Sequence, residues 1–175
     1  MTSFVQPADW WEWWKPLERP EDHYPRVEAD DFGECLFRLK VSRFLAESRG
    51  YVVFRNRRDT QSVIVVRARL VGSATPGILQ VVTSRADLPA DRVERVIERL
   101  RPLLAGSPAE IESMQQKTIV LDGLTIGCAI ADGALVEWGP DILLPEFAWL
   151  DVTITQFSDL LEEAFGDASG GNPGG

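Results

Sequence analysis

Residues 78–104 read ILQVVTSRADLPADRVERVIERLRPLL, and they decide the fold because a β-rich run passes here into an amphipathic helix. The first six residues, 78–83, are mostly aliphatic and β-branched, which is typical of a strand. Farther along, six apolar residues recur with helical spacing. They are Val93, Val96, Ile97, Leu100, Leu103 and Leu104. The stretch therefore predicts a strand, a short loop, and a helix over 90–104 that packs on one face of a sheet.

Two groups of β-rich runs flank this helix. The first group comprises residues 51–54, 63–71 and 78–83, which short connections separate. The second group comprises residues 118–121, 124–131 and 134–138. Its runs are separated by Asp122-Gly123 and Asp132-Gly133, and Asp-Gly suits a tight type I′ turn because both central residues need positive φ. Each group predicts an antiparallel meander.

Two further helices are predicted at the two ends of this core. In residues 36–48 four apolar residues recur with helical spacing and would form one stripe: Phe37, Val41, Phe44 and Leu45. Residues 154–165 carry a second stripe, and Thr153 with Gln156 three positions on fits a capping box. The sequence thus predicts one α+β domain over residues 35–166, whose mainly antiparallel sheet comes from two β-meanders and which has three helices.

The chain outside this domain differs in composition. Residues 1–34 are rich in Trp and Pro, with Trp10, Trp11, Trp13 and Trp14 within five positions, and predict an irregular leader. The indoles either anchor a partner protein or are buried while the leader runs across the domain. Residues 167–175 are rich in Gly and predict a flexible tail.

Charge and composition exclude some classes of protein. The chain has 175 residues and a net charge of −9, and its two cysteines imply no disulfide framework. There is no stretch long and apolar enough for a membrane helix and no signal peptide, so we expect a soluble cytoplasmic protein. The charge is uneven: residues 1–34 carry −6, residues 35–101 carry +8 and residues 102–175 carry −11.

Few residues suit catalysis or metal binding. His23 is the one histidine, and neither a Cys-x-x-Cys pair nor a phosphate-binding glycine loop occurs, so we expect no metal and no cofactor. Carboxylate-only catalysis stays open as an alternative, although adjacent Glu162 and Glu163 are best interpreted as a solvated helix face. One cluster of arginines, at Arg55, Arg57, Arg58, Arg67 and Arg69, either binds nucleic acid or balances the acidic ends. The overall negative charge favours the second interpretation.

Three stretches resemble actinobacterial toxin-immunity proteins, of the type that neutralises tuberculosis necrotizing toxin, a secreted NAD glycohydrolase. They are Leu79-Gln80-Val81-Val82-Thr83-Ser84-Arg85-Ala86-Asp87, residues 118–131, and Leu150-Asp151-Val152-Thr153-Ile154. The resemblance covers residues 36–166 as an order of elements. It implies a non-enzymatic inhibitor that blocks the toxin's NAD pocket with surface loops. The resemblance implies that the loop after the strand, with Ser84, Arg85 and Asp87, contacts the toxin. The double replacement Arg85→Ala with Asp87→Ala should then abolish protection against the toxin.

The residues themselves point to a second contact surface in the acidic C-terminal third. Asp132 is predicted to lie in a hairpin turn, and Asp141 and Glu146 follow the last predicted strand, so all three are candidates for partner binding. Reversing Asp132 and Asp141 to Lys is expected to slow association with a basic partner. Trp138 and Trp149 are candidate anchors, with burial in the core as the expected fate of each.

Two other function classes remain open. A structural or assembly protein, such as a phage or secretion-system component, would also use a Trp-rich leader and a polar tail to dock on its neighbours. A small carboxylate-dependent enzyme would need a pocket with Asp or Glu beside Arg67 or Arg69. The expected partner is a protein, either a toxin or an assembly component; no membrane partner is expected, and the net negative charge disfavours nucleic acid.

Overall fold

The computed structural model describes residues 2–5, 31–43, 48–72, 79–104, 113–115, 124–130 and 136–166. Their seven strands are β1 (Thr2–Val5), β2 (Phe32–Arg43), β3 (Ser48–Asn56), β4 (Ser62–Gly72), β5 (Leu79–Pro89), β6 (Leu124–Ile130) and β7 (Val136–Trp138). Two helices are α1 (Ala90–Leu104) and α2 (Ala148–Gly166), and two short 3₁₀ turns, Pro140–Ile142 and Pro145–Phe147, precede α2.

All seven strands form one antiparallel sheet in the order β1-β5-β4-β3-β2-β6-β7. The register of β2 shifts near its start, between Phe32 and Phe37. At this irregularity Gly33 runs close to β3, since a Cβ there would lie 2.7 Å from the carbonyl oxygen of Arg55. Any larger residue would push the two strands apart.

Both helices pack on one side of the sheet, which we call the first face. It carries alternate side chains of the central strands, among them Leu39, Tyr51, Val53 and Val65, all fully buried. From α1, Val93 and Leu100 are fully buried and Ile97 is 4% exposed. The predicted α+β class and the packing of helix 90–104 on an antiparallel sheet are therefore confirmed.

The predicted helix over residues 36–48 is wrong, and the described part of the chain holds two α-helices rather than three. Residues 36–43 belong to β2, which pairs with β3 on one side and β6 on the other. Phe37, Leu39 and Val41 alternate toward the first face, a pattern of period two that coexists with the helical spacing of Phe37 and Val41. Pairing on both edges favours the strand, because it satisfies the backbone while burying the aromatic and branched side chains.

The outer boundaries also differ from those predicted. Residues 2–5 and 32–34 belong to the sheet, so neither end of the predicted irregular leader is irregular. Helix α2 begins at Ala148, and Thr153 lies inside it, where its hydroxyl donates to the carbonyl oxygen of Trp149 at 2.8 Å. Thr153 is therefore not the predicted cap. Strands β6 and β7 match the predicted second meander, whereas residues 118–121, both Asp-Gly turns and the tail 167–175 lie outside the described residues.

Candidate functional site

The residues that the family resemblance implied do not form a loop. Ser84, Arg85 and Asp87 lie in β5, which continues to Pro89 and pairs with β4 along its whole length. Consecutive strand residues point to opposite faces. Ser84 lies on the first face, 3.5 Å from the guanidinium of Arg67, whereas Arg85 and Asp87 lie on the other. The prediction of one exposed loop surface is therefore wrong, because the ladder with β4 extends the strand to the start of α1.

Arg85 is already held by neighbouring side chains. Its guanidinium lies 3.2 Å from Asp31 and 3.7 Å from Asp87, and 5.3 Å from the centre of the Phe32 ring. Asp31 is buried, and it also pairs with Arg58 and accepts the backbone N–H of Arg57 at 2.8 Å through its carbonyl oxygen. This cluster holds the start of β2 against β3 and β5. Arg85 is thus paired with carboxylates of the same fold.

The two acidic candidates that the structure describes are both exposed. Asp141 lies in the first 3₁₀ turn and Glu146 in the second. Each turn begins with a proline, Pro140 or Pro145, whose fixed φ limits the backbone freedom of the turn. Asp132, the third acidic candidate, lies outside the described residues.

The segment that contains these turns is strongly acidic. Residues 136–166 hold seven carboxylates and no Lys or Arg. Three of the seven pair with cations from earlier elements: Glu137 with Lys40 at 3.3 Å, Glu162 with Arg67 at 2.6 Å, and Glu163 with Arg92 at 3.3 Å. Among the described residues, no Lys or Arg forms an ion pair with the other four, which are Asp141, Glu146, Asp151 and Asp159.

Two apolar side chains of the same acidic segment are exposed. Trp149 is 40% exposed and Val152 is 52% exposed, and the two lie one helical turn apart at the start of α2. Trp149 therefore departs from its expected burial, whereas Trp138 is buried as expected. We call Asp141, Glu146, Trp149, Asp151 and Val152 the acidic surface.

The carboxylates of the acidic surface affect one another. Partial burial raises the pKa of Asp151, and the negative charge of Asp141 raises it further. A group whose ionised form is disfavoured in this way gains when a positive charge approaches. A positive charge close to the acidic surface would therefore stabilise the ionised form of Asp151, and the described part of the fold does not supply such a charge.

A separate polar cluster lies between α2 and the sheet, and sequence reasoning missed it. The Tyr51 hydroxyl donates to Glu162 Oε1 at 2.5 Å, and Arg67 donates to Glu162 Oε2 at 2.6 Å. The Arg67 guanidinium also stacks over the Phe165 ring at 4.1 Å from its centre. Burial and the hydrogen bond to Glu162 raise the pKa of Tyr51 to about 12. Glu162 and Glu163 were predicted to lie on a solvated helix face; Glu163 is exposed, whereas Glu162 is partly buried because Arg67 of β4 lies beneath it.

The arginine cluster is largely paired with carboxylates. Arg55 lies 3.1 Å from Glu34, and Arg58 and Arg67 form the pairs described above. Three of the five arginines therefore balance acidic residues of the same domain, as the charge arithmetic favoured.

Within the described ranges, no group of three or more His, Cys, Asp or Glu side chains is placed to hold a metal ion. In that same part of the chain, no helix combines the length and the apolar character needed to cross a bilayer. Comparisons of the chain with protein-family models, with curated proteins and with solved structures found no match. The acidic surface is therefore the candidate site that rests on this chain's own geometry.

Proposed function

We propose that the protein is a non-enzymatic inhibitor that binds a basic protein partner through the acidic surface, and that it serves as an immunity protein against a cognate toxin. The observation that carries the proposal is the pair of exposed apolar side chains, Trp149 and Val152, within a segment of seven carboxylates and no Lys or Arg. Trp is enriched among residues that dominate binding energy. Surrounding negative charge selects a basic partner.

The two parts of the acidic surface have different roles in this proposal. Asp141 and Glu146 steer a basic partner into contact and raise the association rate, an effect that salt weakens. Trp149 becomes desolvated in the complex and slows dissociation. The proline-started turns reduce the entropy lost on binding, because part of their backbone freedom is already lost.

The toxin class follows from the family resemblance, which implies an NAD glycohydrolase. The direct test adds the full chain to tuberculosis necrotizing toxin and measures NAD hydrolysis. The proposal expects stoichiometric inhibition that is lost in Trp149→Ala and retained in Thr155→Ala, which changes an exposed residue of the same helix. Undiminished hydrolysis would remove this toxin class, and the proposal of a basic partner would then rest on the association rates of charge-reversed variants.

An assembly or adaptor protein is the alternative that the same surface supports, since an exposed Trp beside carboxylates also suits a fixed neighbour in a larger complex. Light scattering over a range of concentrations distinguishes the two. An inhibitor stays monomeric alone and forms a one-to-one complex with its toxin, whereas an assembly component forms larger species as its concentration rises.

The enzyme alternative has one feature in its favour, because Glu162 does lie beside Arg67. The two groups, however, satisfy each other, Tyr51 occupies the second carboxylate oxygen, and the Phe165 ring covers the guanidinium. A catalytic carboxylate needs a free oxygen that can reach a substrate. We therefore assign this cluster to holding α2 on the sheet.

A further inference from the structure

Near its C-terminal end, helix α2 holds an arginine of the sheet with two side chains that lie one helical turn apart. Glu162 accepts a hydrogen bond from the Arg67 guanidinium at 2.6 Å, and the same guanidinium lies over the Phe165 ring, 4.1 Å from its centre. The spacing of three residues places the carboxylate and the ring side by side on the helix. A guanidinium is planar, so its N–H groups can bond to a carboxylate while its flat side covers an aromatic ring.

The same combination of groups holds a second arginine. Arg85 lies 3.2 Å from the carboxylate of Asp31, and its guanidinium is 5.3 Å from the centre of the Phe32 ring. In each case a carboxylate and an aromatic ring that are close in sequence bind one arginine from a distant part of the chain. This fold therefore uses a carboxylate beside a ring as an arginine-binding unit.

A third pair of this kind occurs where α2 begins. The segment Glu146-Phe147-Ala148-Trp149 repeats the order of Glu162-Glu163-Ala164-Phe165, with Glu in the first position, Ala in the third and an aromatic residue in the fourth. The carboxylate and the ring are thus separated by three positions in both segments. The sequence at the start of α2 has the two groups that hold Arg67 near its end.

The backbone brings the two groups of this third pair together. The 3₁₀ turn that contains Glu146 leads directly into α2, because Ala148 has helical backbone angles, φ −56° and ψ −26°. Residues three apart on such a backbone lie on the same side, so the Glu146 carboxylate and the Trp149 indole are neighbours. Both side chains are exposed, and no Lys or Arg of the described ranges forms an ion pair with Glu146.

We propose that Glu146 and Trp149 receive an arginine of the partner protein, whose guanidinium bonds to the carboxylate and lies flat on the indole. This inference rests on the proposed function, in which the acidic surface binds a basic partner, and it names the residue type that the partner contributes. Trp binds cations more strongly than Phe or Tyr does. A lysine ammonium can pair with Glu146, but it has no planar group to stack on the indole, so the site distinguishes Arg from Lys.

Two peptides of equal charge test the inference, one with three arginines and one with three lysines at the same positions. Each is added to the full chain at low salt, and NMR follows the indole N–H signal of Trp149, which is assigned by its loss in Trp149→Leu. The arginine peptide should have a dissociation constant about two- to fivefold lower. Equal constants would overturn the inference and leave the proposed basic partner, which needs only charge. If neither peptide moves the signal, the inference fails, and so does the expected attraction of basic ligands to the acidic surface.

The variant Trp149→Leu isolates the contribution of the ring. It keeps an apolar side chain at an exposed position, so the chain should fold, and its NMR spectrum checks this. The carboxyl carbon of Glu146 then reports binding, and the two peptides should bind this variant with equal affinity. Thr155→Ala, an exposed change on the same helix, should keep the preference for arginine. A preference that persists in Trp149→Leu would overturn the inference, because the ring would not be its source.

Discussion

At the scale of single residues, Tyr51 shows how one hydroxyl joins two elements. It is fully buried in β3, and its hydrogen bond reaches Glu162 on α2, 111 positions away in sequence. Tyr51→Phe removes this bond and leaves one carboxylate oxygen of Glu162 without its donor. We expect a loss of about 1–2 kcal/mol in the free energy of unfolding, measured with urea at pH 7. Thr155→Ala, an exposed change on the same helix, should stay within about 0.5 kcal/mol of the native chain.

The pKa of Tyr51 adds a pH dependence with a definite sign. In the unfolded chain a tyrosine ionises near pH 10, but in the folded protein the pKa of Tyr51 is raised to about 12. Between these values the folded state holds the proton that the unfolded state has lost, so stability falls as the pH rises from about 10 to about 12. Tyr51→Phe should lose less stability over this window. Parallel stability curves for the two proteins would contradict the assignment.

The effect of the Asp141 charge on the pKa of Asp151 can be measured directly by titration. Burial is the larger cause of the raised pKa of Asp151, and the charge of Asp141 is the smaller one. In Asp141→Asn the pKa of Asp151, followed by NMR of its carboxyl carbon, should fall but remain above the ordinary aspartate value. Glu34→Gln, at the opposite end of β2 from the acidic surface, should not change it. An unchanged pKa in Asp141→Asn would mean that the two carboxylates do not face each other.

At the scale of elements, the packing of α1 gives a simple stability prediction. Leu100 is fully buried against the sheet, and Arg99 beside it is exposed. Leu100→Ala removes buried methyl groups and leaves a cavity, which should cost about 2–5 kcal/mol in the free energy of unfolding. Arg99→Ala should cost less than about 0.5 kcal/mol. Chemical denaturation of both variants measures the two free energies of unfolding. If both variants lose less than about 0.5 kcal/mol, α1 is not packed on the sheet as described.

Elements whose apolar residues follow a single period, either that of a strand or that of a helix, were predictable from the sequence. Strands β3, β4 and β6 and helix α1 each carry a single pattern, and the structure has them where they were predicted. Strand β2 carries two patterns at once, since Phe37 and Val41 fit a helix while Phe37, Leu39 and Val41 fit a strand. Its pairing with β3 and β6 decides between the two, and such distant partners cannot be inferred from local spacing.

The candidate site was predictable in composition but not in geometry. The surplus of carboxylates in the last third of the chain indicated an acidic surface that includes Asp141 and Glu146. The exposure of Trp149 depends on α2 beginning at Ala148 rather than at residue 154, which changes the side chains that the first turn presents. The pairing of Glu162 depends on Arg67, which lies 95 positions earlier. Both depend on tertiary contacts.

At the scale of the whole molecule, folding pairs the three charge blocks of the chain with one another. Basic residues of the middle block meet acidic residues from both ends: Arg58 pairs with Asp31, Lys40 with Glu137, Arg67 with Glu162 and Arg92 with Glu163. These contacts neutralise much of the positive charge within the fold. Among the described residues, the carboxylates of the acidic surface have no Lys or Arg partner and keep their negative charge available to a partner protein.

The central claim is that this acidic surface attracts a basic partner, and the association rate constant tests it most directly. The double variant Asp141→Lys with Glu146→Lys is compared with the native chain and with Glu34→Lys, using the partner captured from the native host. At low salt the double variant should associate about tenfold more slowly, while Glu34→Lys stays near the native rate, and the difference should shrink at high salt. Equal association rates for all three proteins at low salt would contradict the claim.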